Sequence, residues 1–496
     1  MMKNKASITP DNIPPLFLKK TGNSLLPALK RLFQESLNNG TIPHQWKTAL
    51  VNPVHKKGSL NNALNYRPIS LTSAICRLLE SIIRYHILKH LYENNLISSK
   101  QHGFLPRRST CSQLLVFLNQ VIKSFDAKID AHIVYTDFSK AFDKVCHQKL
   151  LQVLSSYGIT GVLLKWIENW LTNRTQSVYV GESTSSTTRI TSGVPQGSVL
   201  GPLLFVMYIQ DIESVCSPMC DVGIFADDCK FISINKDALQ DSLNNMAKFV
   251  ADRQLVLSEQ KCSHFIVSRN ETNCRFSING RDVPTTTSIR DLGVTLTSTI
   301  KWKTHVIGIV GKATHVSHKI LFSFSTNNIE TLLLAYKTYV RPILESNSVV
   351  WNPHQIEDVN RIESVQRFFT MKLFQRCGRK SSGYENRLSQ LDLKSLEHRR
   401  IAADLTMIFK ILYNYVDIDP SVLFEFKQSQ YHLRGHSLTL ERPKAAGNTA
   451  LNSFPSRVIR LWNGLSNHTV SSISPATFKH HVNQLDLVQL KKSSMA

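Results

Sequence analysis

Apolar residues recur with two different periods along this chain, and the change of period divides it into two parts. As far as about residue 300, short β-branched runs bounded by turn residues are interleaved with segments whose apolar residues recur every three or four positions. Beyond Lys301 the helical period dominates. The pattern predicts an α+β fold for the first part and a mainly helical structure for the remainder.

Helices are predicted where apolar residues fall on one face of a 3.6-residue repeat. Residues 1–20, with Pro10, Pro14 and Pro15, predict an extended lead-in before the first of them. Asn39 and Gly40 supply the end signal of that first helix. The predicted helices cover residues 24–38, 74–92, 111–125, 306–324, 329–344, 358–374 and 396–415.

Strands are predicted from β-branched and aromatic runs between turn residues. The clearest is 132–138, where Tyr135 and Asp137 share one face. A carboxylate at the end of so apolar a strand is unusual for a purely structural residue. The other predicted strands cover residues 46–54, 176–180, 265–268 and 291–296.

Residues 223–232 predict a β-hairpin with two carboxylates at its tip. Asp227 and Asp228 lie between the apolar runs 224–226 and 231–232. Burying two adjacent carboxylates costs several kcal/mol unless a cation offsets their repulsion. A divalent metal site removes that conflict, whereas an exposed Asp-Asp turn explains this segment equally well when it is taken alone.

The charge balance indicates a polyanionic partner. The chain has 59 Lys and Arg residues against 36 Asp and Glu, a formal net charge of +23, and a pI near 9.7. Nucleic acid is the usual partner of so basic a chain. A basic amphipathic segment that would anchor the chain to a membrane surface is not evident.

Targeting signals and cysteine spacing point to a reduced compartment. No apolar run reaches the roughly 18 residues of a membrane span, and the N-terminus lacks the apolar core of a signal peptide. The nine cysteines include no Cys-x-x-Cys pair. Cys216 and Cys220 lack a second ligand pair at zinc spacing, so we interpret them as structural and expect free thiols in the cytosol or nucleus.

The three aspartates can form a single metal site if their strands lie in one sheet. Asp137, Asp227 and Asp228 would then converge, and two divalent ions about 3.5–4 Å apart would clamp an attacking hydroxyl and a leaving oxygen in phosphoryl transfer. Magnesium, Mg2+, suits a site of few carboxylates completed by substrate phosphates. A basic chain with such a site indicates nucleotidyl transfer.

Six short motifs carry a resemblance to a known family. In chain order they are Asn65–Leu71, Gln101–Phe104, Tyr135–Asp143, Ser192–Pro202, Phe225–Asp228 and Leu292–Gly293. The set resembles the reverse transcriptases of non-LTR (LINE-type) retrotransposons and looks closest to the jockey-like group. The resemblance runs from about residue 10 to about residue 480, and 454–463 is similar to the end of such polyproteins.

The resemblance implies a right-hand polymerase with fingers, a ferredoxin-like palm sheet and a helical thumb. The implied divisions are a linker remnant at 1–22, fingers and palm at 23–300, the thumb at 301–380, and a helical and irregular C-terminal region at 381–496. The implied activity is RNA-directed DNA polymerisation, in which a primer 3′-hydroxyl attacks the α-phosphate of a deoxynucleoside triphosphate with two magnesium ions.

The resemblance also implies the catalytic residues. Asp137 and Asp227 would be the main metal ligands, and Asp228 would complete the set. Lys261 would protonate or stabilise the leaving pyrophosphate. Asp143 is assigned a structural role, because it lies six residues beyond Asp137 and outside the strand.

A second implied group binds the nucleotide. Phe142 would lie beneath the sugar and exclude a 2′-hydroxyl, although a phenylalanine in this place is by itself more often core. Gln196 would lie near the incoming nucleotide and the templating base, and Gly197 would allow close backbone approach. The triphosphate would be held by Arg67 and by Lys56 or Lys57.

Three departures from the family pattern accompany the resemblance. Ser258 stands where relatives usually carry Asn, whereas Asp291–Val294 matches the turn that supports the primer end. The chain carries neither the endonuclease of full elements nor a Cys-Cys-His-Cys knuckle, so a truncated open reading frame is expected. The alternative function is therefore a catalytically idle nucleic-acid-binding remnant.

The implied partners follow from the same resemblance. They are an RNA template, a DNA primer or target, and deoxynucleoside triphosphates, without a membrane and with no indication of oligomeric state. The implied location is a nuclear or cytoplasmic ribonucleoprotein.

Overall fold

The structure is a computed structural model that describes residues 9–269, 274–427, 436, 438–444 and 447–495. Its strands are β1 Thr48–His55, β2 Tyr66–Leu71, β3 Ala131–Thr136, β4 Arg174–Val180, β5 Ser183–Thr184, β6 Thr188–Ile190, β7 Cys220–Phe225, β8 Asp228–Ser233, β9 Ser263–Val267, β10 Ser277–Ile278, β11 Arg281–Asp282, β12 Thr285–Thr286, β13 Ser288–Asp291 and β14 Val294–Thr297.

Helices account for most of the remaining described chain. In the first 300 residues they are α1 Pro15–Asn39, α2 Ala74–Glu93, α3 Thr110–Asp126, α4 His147–Ser156, α5 Gly161–Leu171, α6 Gly201–Ile209 and α7 Lys236–Asp252. Those that follow are α8 Lys303–Ser323, α9 Ile329–Ala335, α10 Arg341–Glu345, α11 Ser348–Trp351, α12 Ile356–Arg376, α13 Tyr384–Gln390, α14 Leu396–Leu412, α15 Pro420–Leu423, α16 Asn448–Leu451, α17 Phe454–Asn463, α18 Asn467–Val470, α19 Pro475–Gln484 and α20 Leu487–Met495.

The described chain forms two compact units whose segments alternate along the sequence. The first unit is drawn from Met1–Leu105, Val134–Ser263 and Phe276–Val283. The second is drawn from Pro106–Ile133, His264–Arg275 and Pro284–Ala496. The architecture is α+β, as predicted, and the predicted domain boundaries at 22, 300 and 380 stay predictions.

In the first unit, β1 is the centre of a sheet with the order β2-β1-β4-β5, and β6 also pairs with β4. β1 pairs antiparallel with β2 and parallel with β4. The β1–β2 register places Arg67 opposite Val54, and the connection between these strands carries Lys56 and Lys57. The hairpin therefore carries all three cations predicted to bind a triphosphate.

The predicted aspartate hairpin is confirmed. β7 and β8 pair antiparallel with Phe225 opposite Asp228, which leaves Ala226 and Asp227 as the two-residue turn. β8 lies next to β3 in the sheet. Because β3 ends at Thr136, Asp137 is the first residue beyond the strand that neighbours the hairpin.

Helix α6 anchors the interior of the first unit. Every residue of α6 except Pro202 is buried, which is the behaviour of a helix that is apolar all round. Pro202 lies in its first turn, where a missing N–H costs little. The helix directly follows the Pro195–Gln196–Gly197 segment, so that segment emerges from a fixed core element.

In the second unit, the start of β3 lies next to β9, and β9 lies next to β12. β13 and β14 form a separate hairpin in which Asp291 pairs with Val294. The turn predicted at Asp291–Val294 is confirmed, but the continuous strand predicted over 291–296 is wrong. Leu292 and Gly293 adopt φ of 44° and 91°, left-handed values that reverse the chain.

Two further differences concern helices. α1 begins at Pro15, so the extended lead-in predicted over 1–20 is wrong from that residue on; proline at a first helical position fits without losing a bond. The helix predicted over 329–344 is interrupted by the π-helical segment Tyr336–Val340. Within the described ranges, none of the helices has the length and apolar character needed to cross a membrane.

Candidate active site

Asp137 is held at the end of β3 by a neighbouring loop. The N–H of Ser258 donates to the carbonyl oxygen of Asp137 at 2.8 Å. From the same loop, Nζ of Lys261 lies 2.6 Å from Oδ2 of Asp137, whose side chain is 31% exposed. The structure therefore brings together two residues that are 124 positions apart and that the sequence assigned to one site.

The surroundings of Asp227 shift the pKa of its carboxyl group. Burial raises the pKa of its carboxyl group, and the charge of Asp137 acts in the same direction. A hydrogen bond from its own backbone and the positive charges of Lys56 and Arg67 lower the pKa of Asp227 and so oppose the shift. Four of the predicted side chains thus lie near enough to interact electrostatically.

The donor chemistry of these carboxylates suits a hard divalent cation. Asp137 and Asp227 repel each other, which is the conflict that a shared cation relieves, and carboxylate oxygens are the ligands that Mg2+ prefers. Asp228 is exposed at the start of β8. Among the residues that the structure describes, no group of three or more acidic, histidine or cysteine side chains is arranged to hold a metal ion, so the three-aspartate ligand set stays a prediction.

The ring of Phe142 is fixed by two other rings. Phe142 lies in the 3-10 turn Ala141–Lys144 and is half-buried. It stacks on Phe205, with ring centroids 4.4 Å apart and planes at 18°, and meets the edge of Phe104 at 5.9 Å. The ring therefore contributes to the core and still has accessible surface, so the two interpretations of this residue are not exclusive.

The Gln196 segment is pressed against β2 and against the turn that carries Phe142. The N–H of Ser70 donates to the carbonyl oxygen of Gln196 at 2.7 Å, and Nε2 of Gln196 donates to Oδ1 of Asp143 at 3.0 Å. Gly197 has φ of 129°, and a Cβ there would lie 2.3 Å from the carbonyl oxygen of Ser70. The close backbone approach predicted at Gly197 is present, and Asp143 orients the Gln196 amide.

The triphosphate-binding candidates are exposed on the β1–β2 hairpin. Lys56, Lys57 and Arg67 are each open to solvent, and the N–H of Lys56 donates to the carbonyl oxygen of Asn65 at 2.7 Å. Lys56 and Arg67 act on the Asp227 carboxyl group, as described above. A phosphate chain reaching that carboxylate would therefore meet cations that are already in place.

Glu80 is a supporting residue that the sequence reasoning missed. Its carboxylate is 1% exposed, and Oε2 accepts hydrogen bonds from the N–H groups of Val199 at 2.7 Å and Leu200 at 3.1 Å. Oε1 accepts from Nε1 of Trp170 at 3.2 Å. An acidic residue on the apolar stripe of α2 was the available signal, because an unpaired carboxylate is rarely buried.

Comparison with known proteins assigns this region to a family. Residues 54–296 match the family described as reverse transcriptase (RNA-dependent DNA polymerase). That range contains Asp137, Asp227, Phe142 and Gln196, and all six sequence motifs lie wholly within it.

Two curated relatives come from Drosophila melanogaster. The probable RNA-directed DNA polymerase from transposon X-element is 25% identical over 344 residues, which cover 66% of this chain and 37% of that protein. The RNA-directed DNA polymerase from mobile element jockey is 27% identical over 299 residues, which cover 57% of this chain and 32% of that protein. The chain thus spans well under half the length of these relatives.

Among solved structures, apo telomerase from Candida tropicalis is similar with a TM-score of 0.41 and 12% identity, covering 76% of this chain and 66% of that chain. The family match and the curated relatives, which are themselves polymerases of mobile elements, agree with each other and with the site geometry. Residues 54–296 match the reverse transcriptase family, and the chain is similar to RNA-directed DNA polymerases of mobile elements, jockey among them.

Proposed function

We propose that this chain is an RNA-directed DNA polymerase that makes cDNA by extending a primer on an RNA template. The observation that carries the proposal is that Asp137, Lys56 and Arg67 all act electrostatically on the carboxyl group of Asp227, within the residues that match the reverse transcriptase family. Carboxylates that influence each other, with cations near them, suit a substrate that brings both divalent metal and triphosphate. The names of the relatives support the same reaction.

Asp137 and Asp227, with Asp228 beside them, are the residues that would hold the divalent ions, for which magnesium is proposed. Such ions activate the attacking 3′-hydroxyl and stabilise the charge on the leaving oxygen. Arg67 and Lys56 bind the triphosphate and orient its α-phosphate, and Lys57 adds positive charge to the same hairpin. Their contribution is mainly positioning and charge stabilisation.

Lys261 is the proposed proton donor to the leaving pyrophosphate. Its ammonium group pairs with Asp137 at 2.6 Å, which places it beside a candidate metal ligand. In this role Lys261 would donate a proton or a charged hydrogen bond to the pyrophosphate. A metal ion held by Asp137 would compete with the ammonium for the same carboxylate.

Selection of the nucleotide falls to Phe142 and to the Gln196 segment. The ring of Phe142 excludes a 2′-hydroxyl because its stacking on Phe205 prevents it from turning away. Gln196, oriented by Asp143, contacts the incoming nucleotide opposite the template base, and Gly197 allows the segment to pack closely. The proposed partners are an RNA template, a DNA primer and deoxynucleoside triphosphates, and the proposed location is a nuclear or cytoplasmic ribonucleoprotein.

Primer extension tests the proposal. The purified chain is given a labelled DNA primer, deoxynucleoside triphosphates and Mg2+, on RNA and DNA templates side by side, with Asp227→Asn as the inactive reference. We expect magnesium-dependent extension on RNA that Asp227→Asn abolishes. Binding of primer–template without extension by the unsubstituted chain would reject the proposal in favour of an idle nucleic-acid-binding remnant.

A further inference from the structure

The segment Gln101–Phe104 lies along the aspartate hairpin of the first unit. The N–H of Ile224 donates to the carbonyl oxygen of Lys100 at 3.1 Å, and the N–H of His102 donates to the carbonyl oxygen of Ile224 at 2.9 Å. Gln101 and Ile224 form a parallel β-bridge. These backbone bonds fix the segment against β7, three residues before Asp227.

One side-chain oxygen of this segment reaches the turn itself. Oε1 of Gln101 accepts hydrogen bonds from the N–H of Gly103 at 2.7 Å and from the N–H of Ala226 at 2.9 Å. Gln101 is 0% exposed, so both bonds are shielded from water. The buried side-chain oxygen of Gln101 thus binds the backbone of Ala226, the residue that precedes the candidate metal ligand Asp227.

Ala226 needs such support because its backbone is in an unfavourable conformation. Its φ is 55°, in the left-handed region that a residue with a Cβ rarely adopts. The first central position of a two-residue hairpin turn is usually glycine when φ is positive there. The bond from Gln101 stabilises this conformation and with it the direction in which Asp227 leaves the turn.

Gly103 allows the contact to be this close. A Cβ at position 103 would lie 2.3 Å from the backbone nitrogen of Ala226 and 3.0 Å from its Cα. Any side chain there would push the segment off the turn and lengthen the bond from Gln101.

The same segment also contacts the candidate nucleotide pocket. The ring of Phe104 meets the edge of Phe142 at 5.9 Å, and Nη2 of Arg84 donates to the carbonyl oxygen of Phe104 at 3.0 Å. Four consecutive residues therefore connect the turn that carries Asp227 with the ring predicted to lie beneath the sugar.

We propose that Gln101 is a positioning residue for catalysis, whose side-chain oxygen fixes the Asp227 carboxylate relative to the nucleotide pocket. The inference rests on the proposed polymerase function. Loss of the oxygen frees the Ala226–Asp227 turn, and a displacement of about 1 Å of a reacting group lowers rates by about 10²-fold. Nucleotide affinity changes little, because Arg67 and Phe142 belong to other elements.

Gln101→Met tests the inference, since methionine has a similar length and no oxygen acceptor. Gln210→Met is the matched control, because Gln210 is also buried, with 3% of its surface exposed. Its Oε1 accepts a hydrogen bond from the N–H of Ser98 at 3.3 Å, and its Nε2 donates one to the carbonyl oxygen of Leu96 at 3.1 Å. Both variants remove a buried amide bonded to backbone. Three quantities are measured on the full chain: Tm, kcat and KM for single-nucleotide extension, and hydrogen exchange of the Ala226 amide by mass spectrometry.

We expect Tm to fall in both variants, and kcat to fall about 10²-fold with little change in KM only in Gln101→Met. Exchange at Ala226 should accelerate in Gln101→Met and stay unchanged in Gln210→Met. A kcat within about twofold of the unsubstituted chain, or an equal loss in Gln210→Met, overturns the inference.

A second variant keeps the test decisive if Gln101→Met does not fold. Gln101→Glu retains an oxygen acceptor, so it should protect the Ala226 amide; exchange as fast as in an unprotected amide overturns the inference. Hydrogen exchange needs no substrate. An unsubstituted chain that fails to extend primers therefore refutes the proposed function, whereas exchange at Ala226 that is unchanged in Gln101→Met, or lost protection in Gln101→Glu, refutes the role of Gln101 in the turn.

Discussion

The rings of Phe142 and Phe205 are stacked, with centroids 4.4 Å apart and an interplanar angle of 18°. Phe205 is fully buried in α6, so the face of Phe142 toward the interior is fixed. A ring held in this way cannot rotate to admit a larger sugar at low cost.

Phe142→Ala, or the milder Phe142→Val, should raise ribonucleotide incorporation relative to deoxynucleotide incorporation. Removal of the ring opens space for a 2′-hydroxyl and leaves the aspartates untouched, so the ratio should change more than the overall rate. The free energy of unfolding should also fall. Replacing a fully buried phenylalanine by alanine costs about 3–5 kcal/mol, and the loss should be smaller here because Phe142 is half-buried. Single-nucleotide extension with each sugar gives the ratio.

Phe205→Leu is the control for that variant, because it removes the stacking partner and keeps the Phe142 ring. It should lower Tm with a smaller change in the sugar ratio. If Phe142→Ala leaves the ratio unchanged while extension persists, the ring is ordinary core.

Asp227→Asn should remove incorporation of both sugars. Losing one negative charge at the site weakens stabilisation of the transition state, and one such electrostatic contact is worth about 10²–10³ in rate. Asp252→Asn, at the exposed end of α7, changes the net charge equally and should leave the rate unaltered. Rapid-quench measurement of the first nucleotide added distinguishes the two, and equal rates for both variants would exclude Asp227 from the chemistry.

Lys261→Met should slow nucleotide addition by about 10²-fold, the lower range for loss of a general acid. The apparent Kd for the nucleotide should change little, and Lys261→Arg should retain part of the rate because it keeps the positive charge. Lys248→Met, exposed on α7, provides the matched loss of a lysine. Pre-steady-state titration with nucleotide measures rate and affinity separately; a loss confined to affinity contradicts the assigned role.

Stability should decrease in mild acid because two buried histidines stay neutral in the folded chain. Burial, assisted by His132, lowers the pKa of His264 to about 4, and burial with Arg290 lowers the pKa of His305 to about 4. The unfolded state, with histidine pKa near 6.5, binds more protons between these values. The free energy of unfolding therefore falls as pH decreases from about 6.5 to about 4, by at most about 3 kcal/mol per histidine.

His264→Gln should flatten this dependence, while His86→Gln, at an exposed position, should not. Denaturant unfolding at several pH values gives the slopes. Identical slopes for His264→Gln and the unsubstituted chain would show that the pKa of His264 does not change on folding.

Binding of primer–template should weaken steeply with salt. With a net charge of +23, the chain displaces counterions from the phosphate backbone on binding, so log K should fall linearly with log salt concentration. Fluorescence anisotropy at four or more salt concentrations measures the slope, and a slope near zero would contradict an electrostatic interface.

Periodicity predicted local elements well and contacts between distant elements poorly. The apolar repeat placed α2 within one residue of its observed bounds, Ala74–Glu93, and the apolar runs beside Asp227 and Asp228 predicted their hairpin. α1 was predicted too short, because proline at a first helical position looks like a break in the pattern.

In the candidate site, too, the sequence predicted the residues but not the contacts between distant elements. Motif order assigned the aspartates and Phe142, but the bonds of Gln101 to Ala226 and of Glu80 to Val199 were not predicted. These contacts join residues more than 100 positions apart, and no local pattern in the sequence encodes such a pairing.

The interleaving of the two units bears on how this protein can be shortened. Each unit is assembled from three separate segments, and strand β3 passes from the second into the first between Ile133 and Val134. A fragment ending near residue 300 would retain 106–133 and 264–275 but lose most of the unit to which they belong. Their apolar faces would then be left without the partners that cover them, so such a fragment is expected to aggregate, and deletion mapping by successive truncation would report misfolding in place of function.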